Sequence, residues 1–99
     1  MSRRRDFDDD FILKVIAEIT PKILKMEVGE EAIAEEMFEE DDWHSYSPYK
    51  RRTDVGDLIS DFSSKDLFPL KFNEIRVSGR CNEYIRTEIK DHHLIQPDS

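Results

Sequence analysis

The longest apolar pattern in the chain runs from Phe7 to Met26, and any fold must be built on it. Phe7, Phe11 and Val15 recur every four residues, and Ile12, Ile16, Ile19, Ile23 and Met26 make an adjoining stripe. That spacing puts the side chains on one face of a helix. Asp6 is placed to cap its start, with Asp8, Asp9 and Asp10 in the first turn and Lys22 and Lys25 near the other end. Both charge biases complement the helix dipole. Pro21 interrupts the pattern. Its missing N–H and its ring predict a bend or split near Ile19.

The rest of the chain is short of apolar material. In 99 residues only 37% are hydrophobic and 38% are charged. This permits one domain at most, spanning 1–99, with a small core and with 1–6 and 91–99 frayed. Ten per cent aromatics argue against full disorder. The net charge of -8 makes direct nucleic-acid binding unfavourable for the chain as a whole. No apolar run reaches the length of a membrane span. Acids follow Arg3 to Arg5 where a signal peptide would be apolar, which speaks against secretion. The one cysteine, Cys81, excludes an internal disulfide and fits a reducing cytoplasm.

After a break at Val28-Gly29, a second helix is predicted from about Glu30 to Asp41. Ala32, Ile33 and Met37, with Phe38 beside them, form a narrow apolar stripe, and eight acids lie between Glu30 and Asp42. Such a face is ordinarily just solvated. Here like charges recur four apart, at Glu31–Glu35, Glu35–Glu39 and Glu36–Glu40, which costs stability. Basic groups at Arg3 to Arg5, at Lys50 to Arg52 or on a partner would relieve it.

The segment that follows is aromatic and basic: His44-Ser45-Tyr46-Ser47-Pro48-Tyr49-Lys50-Arg51-Arg52-Thr53. Residues 43 to 57 read as loop, because Ser-Pro and Val-Gly-Asp are turn signals. Leu58 to Phe62 is ambiguous between a strand and a helical turn. Three readings of the segment stand together. The arginines can pair with the acidic helix while the tyrosines cover the core. Tyr and Arg can form a protein-binding surface, where those residue types are enriched. They can also stack and pair with single-stranded nucleic acid, against the charge of the acidic neighbour.

The C-terminal part is predicted as a hairpin. Leu70 to Val77 carries Phe72, Ile75 and Val77, Ser78-Gly79-Arg80 is the turn, and Cys81 to Ile89 alternates through Cys81, Ile85, Thr87 and Ile89. The fold class is therefore α+β, with a bent N-terminal helix and a second acidic helix packed on a C-terminal antiparallel β-hairpin. The expected core is Phe11, Val15, Ile16, Ile19, Ile23, Ile33, Met37, Phe72, Ile75, Val77, Ile85 and Ile89.

No catalytic constellation stands out. The chain has no Gly-rich phosphate loop and no nucleophile elbow. Its acids lie on faces read as exposed, where their pKa values are not driven apart. Neither Asp8-Asp9-Asp10 nor Asp41-Asp42 opens a calcium loop. Adjacent His92 and His93, beside Asp91, point to opposite sides of an extended chain and do not chelate one ion, and His44 is distant. The expectation is a non-enzyme with no metal and no cofactor.

The order of elements adds a resemblance. The run from His44 to Thr53, followed by Gly56-Asp57-Leu58 and Phe62, resembles minor structural proteins of tailed bacteriophages, in the head–tail joining and tail-completion group. It covers about 20 residues and a loosely similar helix ahead of them. It departs from the usual pattern in that Pro48 and Tyr49 are adjacent, with no spacer. The resemblance implies protein binding in a ring-shaped assembly, carried by Tyr46, Pro48, Tyr49, Arg51, Arg52, Gly56 and Leu58, with a β-segment opened by the Gly-x-Leu. It also implies work in the host-cell cytoplasm or within the virion. A competing expectation is a small acidic phage-encoded inhibitor, of the anti-CRISPR or nucleic-acid-mimicking kind, that presents Glu35, Glu36, Glu39 and Glu40 to a basic host enzyme. A third is an antitoxin or regulatory subunit that covers a basic partner.

Overall fold

The computed structural model describes residues 7–48, 50–76 and 81–97. The first helix, α1, spans Asp9–Lys25. Its cap is Asp8, whose carboxylate accepts the Phe11 N–H at 2.8 Å; Asp6, the expected cap, lies outside the described residues. Pro21 sits inside α1 without ending it, so the expected split is absent. The reason is position: Pro21 and Ala17, whose carbonyl loses its ladder donor, are both exposed, and water can serve that carbonyl. Phe11, Val15, Ile19 and Ile23 form the buried spine of the helix, as expected, whereas Ile16 is only half-buried.

The acidic stretch is not one helix. It divides into a strand β1 at Glu31–Ile33, a 3-10 turn at Ala34–Met37 and a short helix α2 at Glu40–His44. The like-charge pairs that a continuous helix would stack are thereby dispersed. Gly29, at φ 94, turns the chain into β1 through a conformation that suits glycine. Ala32 and Met37 are buried as the apolar stripe suggested, and Ile33 is half-buried.

The largest departure is helix α3 at Arg51–Ser64, over a stretch read mostly as loop. Val55, Leu58, Ile59 and Phe62 follow helical spacing, and the first three are fully buried. Ser47 starts the helix: its hydroxyl accepts the Arg51 N–H at 3.2 Å and its carbonyl accepts the Arg52 N–H at 3.1 Å. The Ser-Pro signal therefore marks a helix entry rather than a loop. Gly56 lies mid-helix, where a Cβ would meet nothing within 4 Å. The end of α3 is a Schellman motif, in which Asp66 N–H donates to Ser63 O at 3.1 Å and Leu67 N–H to Phe62 O at 2.9 Å. Asp66 holds the left-handed position, φ 59, that glycine usually fills.

Strands β2 at Leu70–Arg76 and β3 at Cys81–Arg86 pair antiparallel as the expected hairpin; its turn, with Val77, lies outside the described residues. β1 joins the other side of β3, giving the antiparallel order β1-β3-β2. A bulge between Phe72 and Glu74 shifts the register. The burial differs from the alternation predicted. Tyr84 and Arg86 are buried while Cys81 is exposed, Ile85 and Ile89 are half-buried, and Phe72 and Ile75 are 51% and 57% exposed. α3 meets β3 at Tyr84 and Asn82 through Ser60, and Phe72 and Ile75 are left exposed on the edge strand β2.

The C-terminal segment packs against the body of the protein at Leu94 and Ile95. Leu94 N–H donates to Leu67 O at 2.8 Å, and Ile95 is fully buried in the same cluster as α1 and α3. Two substitutions test this core with opposite signs. Ile19→Ala removes a fully buried side chain and should cost about 2–5 kcal/mol in urea unfolding. Gly56→Ala places a better helix former in open space and should gain about 0.5–1 kcal/mol. A loss of stability in the second variant would show that residue 56 is not helical.

Candidate functional site

Four of the residues singled out in the sequence meet in one place. A groove of about 400 Å³ runs between the 3-10 turn and α3, and Glu35, Pro48, Arg52 and Gly56 line it. Trp43 from α2 forms part of the wall, and the Arg52 guanidinium stacks over its ring at 5.1 Å. Gly56 leaves the floor open because no side chain projects from it. Ser60, Tyr84 and Asn82 close one part of the lining. Asn82 Nδ2 donates to Ser60 Oγ at 3.1 Å, and Ser60 and Tyr84 share a hydroxyl–hydroxyl hydrogen bond.

The two arginines of the basic run have different fates. Arg51 is spent within the chain: it pairs with Asp54 at 3.3 Å and stacks over Phe11 at 4.3 Å. Among the described residues the Arg52 side chain has the aromatic contact alone. Nothing among them accepts from its guanidinium, and its Nε is closed off from solvent without a partner. That nitrogen is out of a partner's reach, so a ligand meets the outer nitrogens of this half-buried side chain.

Tyr46 is not on the surface. It is 4% exposed, edge-on to Phe11 and Phe38, and its hydroxyl donates to Glu18 at 2.6 Å. Burial first, and then the Glu18 carboxylate, push its phenol far above the ordinary tyrosine range. Its placement as a binding residue is corrected: it is core, held by the aromatic cluster. Leu58 is likewise core, and the Gly56-Asp57-Leu58 segment is helical rather than the opening of a β-segment. Tyr49 lies outside the described residues.

The acids Glu35, Glu36, Glu39 and Glu40 are exposed but do not share a helix face. Glu36 accepts the Ile33 N–H at 2.9 Å and so caps the 3-10 turn. Among the described residues Glu39 and Glu40 reach only Lys22 at 4.0 Å and His44 at 3.9 Å.

A second cluster was not legible in the sequence. His92 Nε2 lies 2.8 Å from Asp66 Oδ2, and His93 Nε2 lies 3.3 Å from Asp66 Oδ1. The histidines converge because residues 90–93 turn, with His93 N–H donating to Lys90 O at 3.0 Å. The third member is Asp66, not Asp91. These atoms are close enough to share an ion, but the ring of His93 opposes it. Its Nδ1 accepts the Lys90 N–H at 3.0 Å, so the neutral ring carries its proton on Nε2 and donates to Asp66. A metal-bound histidine needs the reverse, a lone pair on Nε2 and a proton on Nδ1. The cluster is a clasp that ties the C-terminal segment to the end of α3.

Hydrogen bonds from His92 and then His93 hold the Asp66 carboxyl below its usual range. A depressed carboxyl stabilises the fold above its unfolded pKa, and that contribution is lost as pH falls through the folded value. Amide protection of Leu94 should therefore drop below the usual carboxylate range. In Asp66→Gly it should drop already at neutral pH, even though glycine relieves the backbone at φ 59. Unchanged Leu94 protection in that variant would remove the clasp from the account.

Among the described residues no helix is long and apolar enough to cross a membrane. Comparisons with protein-family models, curated proteins and solved structures find no match to this chain.

Proposed function

We propose that this protein is non-enzymatic and acts by binding another protein or further copies of itself, in the head–tail or tail assembly role that the phage resemblance implies. On this reading it works in the host cytoplasm or within the virion. The observation that carries the reading is the Arg52 groove. It gathers Pro48, Arg52, Gly56 and Glu35 from separate elements around an arginine that no acceptor satisfies among the described residues. Arginine and tryptophan in a partly desolvated concavity have the composition of a binding hot spot.

The competing inhibitor reading has support of its own. Glu39 and Glu40 keep 64% and 88% of their side-chain surface exposed, and among the described residues they have only long ionic contacts. Carboxylates presented in this way suit a basic groove on a host enzyme.

Sizing by light scattering, at low and high salt, separates the two. For an assembly protein, Arg52→Glu should abolish self-association, and salt should weaken the wild-type oligomer. Arg51→Glu should act mainly on stability, because Arg51 is already paired with Asp54. For an inhibitor, Glu39→Gln with Glu40→Gln should release a captured host enzyme while Arg52→Glu leaves it bound. Indifference of both assembly and capture to every one of these changes would defeat both readings.

A further inference from the structure

We propose that the Arg52 groove receives an extended peptide segment of a protein partner, carrying a lone carboxylate side chain next to an apolar one. This deepens, and rests on, the protein-binding reading above. A volume of about 400 Å³ suits a few side chains rather than a folded surface. The carboxylate belongs on the two outer nitrogens of Arg52, whose end-on fork matches it in two parallel hydrogen bonds; Nε, closed off from solvent, takes no part. Stacking on Trp43 at 5.1 Å holds that fork in place before anything binds, so little is lost in ordering it. The apolar neighbour belongs against Trp43, Pro48 and Ile33 of the same lining. The absent side chain at Gly56 lets a backbone lie close to α3. The Ser60–Asn82 pair offers that backbone polar partners.

Charge decides what kind of acidic segment fits. Glu35 also lines the groove, and the chain carries a net charge of -8. A run of acids, or a nucleic-acid backbone, would be repelled where one carboxylate among neutral or basic residues is accepted. The groove therefore selects a single acid in a segment of zero or positive net charge.

The test starts from a displayed library of random ten-residue peptides panned on the full-length protein. The best peptide is then synthesised and titrated against the emission of Trp43, the only tryptophan in the chain. Enriched peptides should share one Asp or Glu beside an apolar residue and lack net negative charge. Arg52→Gln should weaken binding about tenfold or more, as expected for loss of a charge-assisted pair. Replacing the acid of the peptide with Gln should weaken it equally on wild-type protein, which removes any question of folding. Arg52→Lys, which keeps the charge but not the fork, should fall between. Enrichment without an acid, equal binding to Arg52→Gln, or tighter binding of polyacidic peptides or single-stranded DNA would each overturn the proposal. Failure to enrich any peptide, with Arg52→Glu still abolishing assembly of the intact protein, would overturn the peptide segment and leave the protein-binding reading standing.

Discussion

Arg86 holds the fold together at the point where its parts meet. It is 6% exposed, and among the described residues no carboxylate pairs with it. Its Nε donates instead to Ile23 O in the last turn of α1 at 3.0 Å, and its Nη1 donates to Thr87 O. Its backbone N–H donates to Glu30 O at 2.9 Å, and its carbonyl accepts the Gly29 N–H at 2.8 Å. One residue of β3 thus joins α1 and the glycine turn that leads into β1. A buried charge is tolerable only when fully hydrogen-bonded. Ile23 O supplies part of that from the negative end of the α1 dipole, and Thr87 O supplies another acceptor. Burial draws its pKa down from the ordinary arginine value, but guanidinium stays charged throughout the physiological range.

The groove inherits its geometry from that junction. With Gly29 and Glu30 fixed to Arg86, β1 pairs with β3 in register, Ala32 opposite Tyr84 and Ile33 opposite Glu83. The chain leaves β1 directly into the 3-10 turn, which sets Ile33, Ala34 and Glu35 on one bank. Ser47 and the Asp66 Schellman turn fix the two ends of α3, which supplies the other bank. Arg51 and Arg52, adjacent in sequence, point to different surroundings because consecutive residues on a helix face about 100° apart. One is consumed by Asp54 and Phe11, and the other is presented beside Trp43.

The legible parts of this fold were those with strong local periodicity. The α1 spine and the β2–β3 pairing follow from spacing alone. Non-local effects decided the rest. The 30–41 stretch has helical spacing, but pairing with β3 and the spread of its acids favour a strand and a 3-10 turn. α3 was hidden because Val-Gly-Asp carries a turn signal, although Val55, Leu58, Ile59 and Phe62 keep helical spacing across it. Phe72 and Ile75 were expected inside because they are apolar, but they lie on the edge strand β2, beyond Leu70, and are left exposed there. Of the candidate site, Pro48, Arg52, Gly56 and Glu35 were named from sequence. Trp43 and the Ser60–Tyr84–Asn82 lining were not, since only the tertiary fold brings them there. The Asp66–His92–His93 clasp was missed because it depends on a tight turn at 90–93 and on a left-handed aspartate.

Amide hydrogen exchange in Arg86→Met tests the central claim, that the Arg86 side chain fixes β3, and the Gly29–Ile33 segment paired with it, to the end of α1. Met keeps much of the stem volume and the backbone bonds to Gly29 and Glu30, and removes only the side-chain donors that reach Ile23 and Thr87. The account predicts that Gly29 and Glu31 to Ile33 lose protection while Val15 and Ile19, deep in α1, keep theirs, a local release rather than global unfolding. Equal protection of the Gly29–Ile33 amides in both proteins, measured against the same α1 amides, would contradict it.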